Sequence, residues 1–189
     1  MRIAISGTHQ IGKTTLSNDF IKTHPEYVIQ QEPYHILQDE HGIEFSEQPT
    51  LECLITQLDY SIELLNKSSN VKNIIFDRCP VDFIAYAMYI TDENFTDIND
   101  SAIAEKFPEI KDALENLDLI VFLPITKGYD MDDVYHEDAE YRQAIDRNFR
   151  KLYFDEVCDI FPGYQQPKII ELYGNRNERL KKLESYLKI

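Results

Sequence analysis

The chain is 189 residues long, the length of one domain, and we read residues 1–189 as a single unit. Its 43% hydrophobic and 12% aromatic content is enough for a core without disulfide or metal staples, which excludes a disordered chain. The 34 acidic residues outnumber the 19 basic ones for a formal net charge of −15, which repels nucleic acid and anionic membrane surfaces. An anionic ligand must therefore meet a locally built site of backbone amides, a few placed basic side chains or a cation.

The three cysteines, Cys53, Cys79 and Cys158, are far apart and lack CxxC spacing, as expected of reduced structural thiols. No apolar run approaches the roughly 20 residues that span a bilayer, and Met1 leads straight into a strand with no signal-peptide pattern. A cytoplasmic protein without a membrane partner is expected.

In chain order, Arg2-Ile3-Ala4-Ile5-Ser6 is a short apolar run closed by Gly7, the pattern of a buried strand, and a Gly-containing turn and helix follow. Tyr27-Val28-Ile29 predicts a second strand ending near Glu32-Pro33, and 38–49 reads as loop. Leu51, Leu54, Ile55, Leu58, Ile62 and Leu65 recur at the spacing of an amphipathic helix. Asn73-Ile74-Ile75-Phe76 is a third strand, the apolar stretch 81–90 a helix, and 92–100 a loop.

Helical sequence resumes at Ser101, with an interruption expected at Pro108, before the fourth strand, Leu119-Ile120-Val121-Phe122-Leu123. The acidic segment 127–138 is expected to be mobile. A long helix then carries Ile145, Phe149, Leu152, Tyr153 and Val157 on one face, followed by a fifth strand, Lys168-Ile169-Ile170-Glu171-Leu172, and a closing helix after Gly174. Short apolar strands alternating with helices imply right-handed crossovers, hence an α/β fold of three layers with a five-stranded parallel sheet covered on both faces. Ligands in such folds gather at the carboxyl ends of the strands.

Gly7-Thr8-His9-Gln10-Ile11-Gly12-Lys13-Thr14 matches the P-loop pattern GxxxxGK(S/T) at every fixed position, after a buried strand and at the start of a helix. Its glycines let the backbone wrap a pyrophosphate, its amides and helix N-terminus supply positive potential, Lys13 neutralises the outer phosphates, and Thr14 ligates magnesium. ATP and Mg2+ are the expected cofactors, with Thr15 completing the cradle. His9 stands at a variable position and is assigned no proton chemistry.

Asp77 follows the third strand directly, so it projects toward the phosphates, where an acid can hold magnesium. Arg78 beside it can reach the transferring phosphoryl group. Glu32 closes the second strand in the same way and can accept the proton of a substrate hydroxyl, a role open to Asp77 as well. On the long helix, Arg142 falls in line with Ile145, Phe149 and Tyr153 at about 3.6 residues per turn and points inward, while Arg147 points nearly opposite. Arg142 is the expected phosphate contact; a nucleotide phosphate or an internal carboxylate would each satisfy it.

These features resemble the P-loop kinase superfamily that includes deoxynucleoside kinases, nicotinamide riboside kinases and AAA-like ATPase/kinase domains. Glu32-Pro33 is similar to the Glu-Pro that supplies the base in deoxynucleoside kinases, and Asp77-Arg78 to their acidic-Arg pair. The resemblance implies that Gln57 hydrogen-bonds a nucleobase, that Asp82 faces the acceptor, that a mobile lid around 125–150 carries the phosphate-contacting Arg, and that the turn Tyr173-Gly174-Asn175-Arg176 rests the adenine. The implied function is an ATP- and Mg2+-dependent transfer of the γ-phosphoryl to a hydroxyl of a nucleoside-like small molecule. A P-loop ATPase or a nucleotide-dependent interaction module, docking a basic partner at Asp130-Met131-Asp132-Asp133, is the alternative reading. A kinase of a monophosphate would need more basic residues near the acceptor. A homodimer is left open.

Overall fold

A computed structural model describes residues 1–45, 49–126, 136–155, 157–163 and 167–187. The elements run β1 (Arg2–Ser6), α1 (Lys13–Thr23), β2 (Val28–Gln30), α2 (Pro33–Asp39), α3 (Leu51–Lys67), β3 (Ile74–Asp77), α4 (Pro80–Glu93), α5 (Phe107–Leu114), β4 (Leu119–Phe122), α6 (His136–Phe154), β5 (Lys168–Glu171) and α7 (Arg176–Leu187). All strands pair in parallel, in the order β2-β3-β1-β4-β5. The site-bearing β1 is central, between β3 and β4.

Side chains alternate across each strand, so the sheet divides the core in two. Ala4, Phe76, Ile120 and Phe122 face a layer built from α3, α4, α5 and α6, while Ile3, Ile5, Ile75, Leu119 and Val121 face α1 and α7. Strands buried on both faces read as continuous apolar runs, which is why length and punctuation identified them.

Several boundaries differ from expectation. Residues 33–39 form a helix: Pro33 begins α2, where its missing amide is one of the donors a helix start leaves unbonded. Pro108 likewise lies in the first turn of α5 rather than interrupting a helix. Ile98–Asp100 forms a short 3-10 turn within the stretch read as loop, and α6 ends before Val157, which is exposed. The acidic segment with Asp130-Met131-Asp132-Asp133 lies outside the described residues, as do residues 127–135 of the lid expected around 125–150.

Candidate phosphoryl-transfer site

The loop 7–14 leaves the carboxyl end of β1 and enters α1. Gly7 lies at φ 143°, where an added Cβ would stand 2.7 Å from the Leu123 carbonyl oxygen, and Gly12 caps α1 at φ 95°. Both positions therefore require glycine. Gln10 also takes a positive φ of 57°, which closes the turn. Lys13 is buried, and its ammonium donates to the Gly7 carbonyl at 3.0 Å and the Thr8 carbonyl at 2.9 Å, folding back over the loop. Burial, and then the charge of Arg78, lower its pKa to about 8. A cavity of about 290 Å³ opens on the loop, lined by His9, Gln10, Gly12, Lys13, Thr14, Thr15, Glu32 and Arg78.

At the end of β3, Asp77 accepts a 2.5 Å hydrogen bond from the Thr14 hydroxyl, joining the two residues expected to hold a metal. Its other oxygen, Oδ1, is buried without a hydrogen-bond partner. An oxygen so placed fits a cation ligand, because a carboxylate oxygen left unsatisfied is costly. Among the described residues no group of three or more His, Cys, Asp or Glu side chains could hold a metal alone. Magnesium would thus be held by Thr14 and Asp77 together with phosphates and water.

Arg78 is buried at φ 77°. Its Nε donates to Glu32 Oε1 at 2.5 Å, its Nη1 lies 3.5 Å from both the Gly7 carbonyl and Asp82 Oδ1, and its guanidinium sits 5.2 Å over the Tyr86 ring. Burial alone would raise the Glu32 carboxyl, but Arg78, Lys13 and the Arg78 hydrogen bond outweigh it and hold Glu32 below the ordinary carboxylate range.

Asp82, expected to face the acceptor, is instead fully buried. It accepts hydrogen bonds from the Ser6 hydroxyl (2.9 Å), the Gly7 amide (3.2 Å) and the Cys79 amide (3.0 Å), so it clasps the P-loop to the start of α4. The Ser6 hydroxyl also meets that of Tyr153 at 2.6 Å. Burial pushes the Asp82 carboxyl up, against the pull of Arg78 and Lys13.

A larger cavity of about 470 Å³ adjoins the first. Its walls include Tyr34, Phe45, Leu54 and Phe83 with Gln57, and it shares His9, Glu32 and Arg78 with the phosphate-side cavity. Gln57 is buried at its wall, with Nε2 donating to the Cys53 carbonyl at 3.2 Å. Arg142 does point inward, at 2% exposure, and donates from Nε to the His9 carbonyl at 3.1 Å. Arg147 is exposed, and Arg150 pairs with Asp146 and Glu171.

Arg176 lies on the exposed face of α7, bonded to Asp19 at 2.5 and 2.7 Å, and lines neither cavity. One turn on, Arg179 reaches the P-loop instead: it is buried and its Nη1 donates to the Ile11 carbonyl at 2.7 Å. Arg179 and Tyr86 were not singled out from sequence. The four-residue spacing of Arg179 to the buried Leu183 was a usable signal; Tyr86 sits in a helix apolar on all sides and gave none.

Among the described residues no helix is long and apolar enough to cross a membrane. In comparison with solved structures, the chain is similar to deoxyadenosine kinase from M. mycoides with bound dATP, at 22% identity over 100% of both chains and a TM-score of 0.67. It is similar to NadR in complex with NR, at 14% identity over 100% of this chain and 50% of that one, TM-score 0.66. Thymidylate kinase from Candida albicans aligns at 18% identity over 99% of this chain and 90% of that one, TM-score 0.58. At these identities the likeness establishes a common fold, the three-layer P-loop architecture. No curated protein matches the chain. A family model described as AAA domain matches residues 2–164, within which lie the P-loop, the Asp77-Arg78 strand end and Arg142; the chain belongs to that AAA domain family.

Proposed function

We propose that the protein is an ATP- and magnesium-dependent kinase that transfers the γ-phosphoryl group to a hydroxyl of a nucleoside-like small molecule. The observation that carries this reading is the ion pair of Glu32 and Arg78, which forms the wall common to the phosphate-side cavity and the larger, partly aromatic one. A hydrolase needs no second cavity of about 470 Å³ beside its catalytic acid. The fold shared with a deoxyadenosine kinase, and with a protein solved with NR, supports an acceptor of that class.

In this reading the loop amides and Lys13 take the β- and γ-phosphates, Lys13 leaving the Gly7 and Thr8 carbonyls to do so. Thr14 and Asp77 would hold magnesium, which would supply charge neutralisation at the phosphates. The acceptor hydroxyl oxygen forms its bond to the γ-phosphorus as the bond to the bridging oxygen of ADP breaks. Its proton passes to Glu32, which is ionised at neutral pH and lines both cavities, whereas Asp77 lines neither and bonds Thr14. Arg78 stabilises the charge on the transferring group. Among the described residues that line the larger cavity, Arg78 is the only arginine or lysine, and Glu32 already neutralises it. The cavity therefore suits an uncharged acceptor better than a monophosphate.

A screen of nucleosides, ribosides, sugars and nucleotides for magnesium-dependent ADP release tests the reading. Stimulation by at least one nucleoside-like compound is expected; ATP turnover indifferent to every acceptor would replace it with the ATPase or nucleotide-switch reading. Lys13→Ala should abolish turnover and weaken ATP binding. Glu32→Gln should lower kcat by about 10²–10⁴-fold with little change in ATP affinity. Equal losses in both would remove Glu32 from the role of base.

A further inference from the structure

Tyr86 makes contacts that join the two cavities. It is 9% exposed, one turn beyond Asp82 on α4, and lines the larger cavity. Its hydroxyl accepts the backbone N–H of His9 at 2.8 Å and lies 3.2 Å from Nδ1 of the same residue. The ring, meanwhile, packs beneath the Arg78 guanidinium at 5.2 Å. One side chain thus grips the P-loop with its oxygen and the acceptor-side ion pair with its ring.

The grip on His9 sets a peptide plane. The His9 amide is directed at the Tyr86 hydroxyl, and the carbonyl of His9 is held by Arg142 at 3.1 Å. With both polar groups of the residue fixed, the turn leading into Gln10 at φ 57° has little freedom left to reorient its remaining amides. Preorganised donors cost no reordering when a polyphosphate arrives. On the other side of the ring, a cation over an aromatic face is attracted by its quadrupole, which holds Arg78 where its Nε meets Glu32.

We propose that Tyr86 is a positioning residue that sets donor and acceptor geometry together: its hydroxyl shapes the phosphate cradle through His9, and its ring keeps Arg78 on Glu32. The acceptor half rests on the kinase reading above; the donor half requires only that the loop binds ATP.

Two variants separate the functions. Tyr86→Phe keeps the ring and removes the oxygen, so the Kd for ATP, measured by calorimetry without acceptor, should rise about 5–10-fold, the value of one hydrogen bond near 1 kcal/mol. In the same variant the acid limb of the kcat–pH profile should stay in place. Tyr86→Leu removes both contacts and should add a fall in kcat and a shift of that limb to higher pH, because Arg78 no longer holds the Glu32 carboxyl down. Both variants are checked for the wild-type circular dichroism spectrum, and if Tyr86→Leu fails to fold, Tyr86→Met replaces it in the kcat and pH measurements with the same expected outcomes.

Unchanged ATP affinity in Tyr86→Phe overturns the donor half, and a lowered kcat with an unmoved acid limb in Tyr86→Leu overturns the acceptor half. A wild-type protein that binds ATP but phosphorylates nothing defeats the kinase reading while leaving the ATP measurement on Tyr86→Phe decisive.

Discussion

Arg78 holds a left-handed backbone conformation at φ 77°, which costs a residue with a Cβ about 1–2 kcal/mol. Its contacts with Glu32, Asp82, Gly7 and Tyr86 keep it there and aim its guanidinium at the junction of the cavities. The charge it brings also sets the pH behaviour of Glu32. A carboxylate whose folded pKa lies below its unfolded value keeps its stabilising ion pair above the unfolded value and loses it as the pH falls through the folded one. Lys13 and His35 act on Glu32 in the same direction. The acid limb of the kcat–pH profile should therefore lie below the ordinary glutamate value of 4.5, and Arg78→Met should raise it. A limb above that value in the wild type would contradict the assignment. Asp77, Arg78 and Glu32 were legible in sequence because each sits at a strand's carboxyl end, where a parallel sheet aims side chains at ligands. Asp82 departs from expectation for a physical reason: sequence shows a carboxylate five residues past Asp77 but not that it is buried against three donors.

At the scale of elements, α7 acts on the P-loop from the far end of the chain. Its start is fixed by a reciprocal cap: Asn175 Oδ1 accepts the amides of Asn177 (3.0 Å) and Glu178 (3.1 Å), and Glu178 returns a bond to the Asn175 amide at 2.9 Å. That cap sets the rotation of the helix, and rotation decides that Arg179 rather than Arg176 meets Ile11. Arg179→Met should raise the ATP Kd several-fold and lower the melting temperature, read by calorimetry and by thermal unfolding; an unchanged Kd would make Arg179 a packing residue only. On the opposite face of the sheet, Leu58 of α3 is fully buried in the core, and Leu58→Ala should cost about 2–5 kcal/mol of stability in a denaturant titration. The helix types were legible where apolar spacing was strong, as in α3. They were not legible where one residue type carries opposite meanings: Pro33 reads as a strand end and Pro108 as a helix interruption, yet each lies in the first turn of a helix.

For the whole molecule, the net charge of −15 opposes the approach of an anionic nucleotide to a site whose positive groups are local. Salt screens the long-range repulsion more than the buried contacts of Lys13, since the Debye length falls from about 10 Å at 0.1 M to about 3 Å at 1 M. The association rate for MgATP should rise with ionic strength between those limits in stopped-flow measurements, the reverse of electrostatic steering; a rate that falls would show that the local field prevails at a distance. The strand order has a different consequence, one of timing. β1 is the first strand of the chain but lies in the middle of the sheet, with Arg2 paired to Ile74 and Ile3 to Leu119. During synthesis from the N-terminus, the P-loop sequence emerges early and waits without its neighbours until β3, α4 and β4 have followed and α7 delivers Arg179. If the loop binds ATP as proposed, it is complete only once α7 has been made, and capture on immobilised ATP would select for nascent molecules whose translation has passed Arg179.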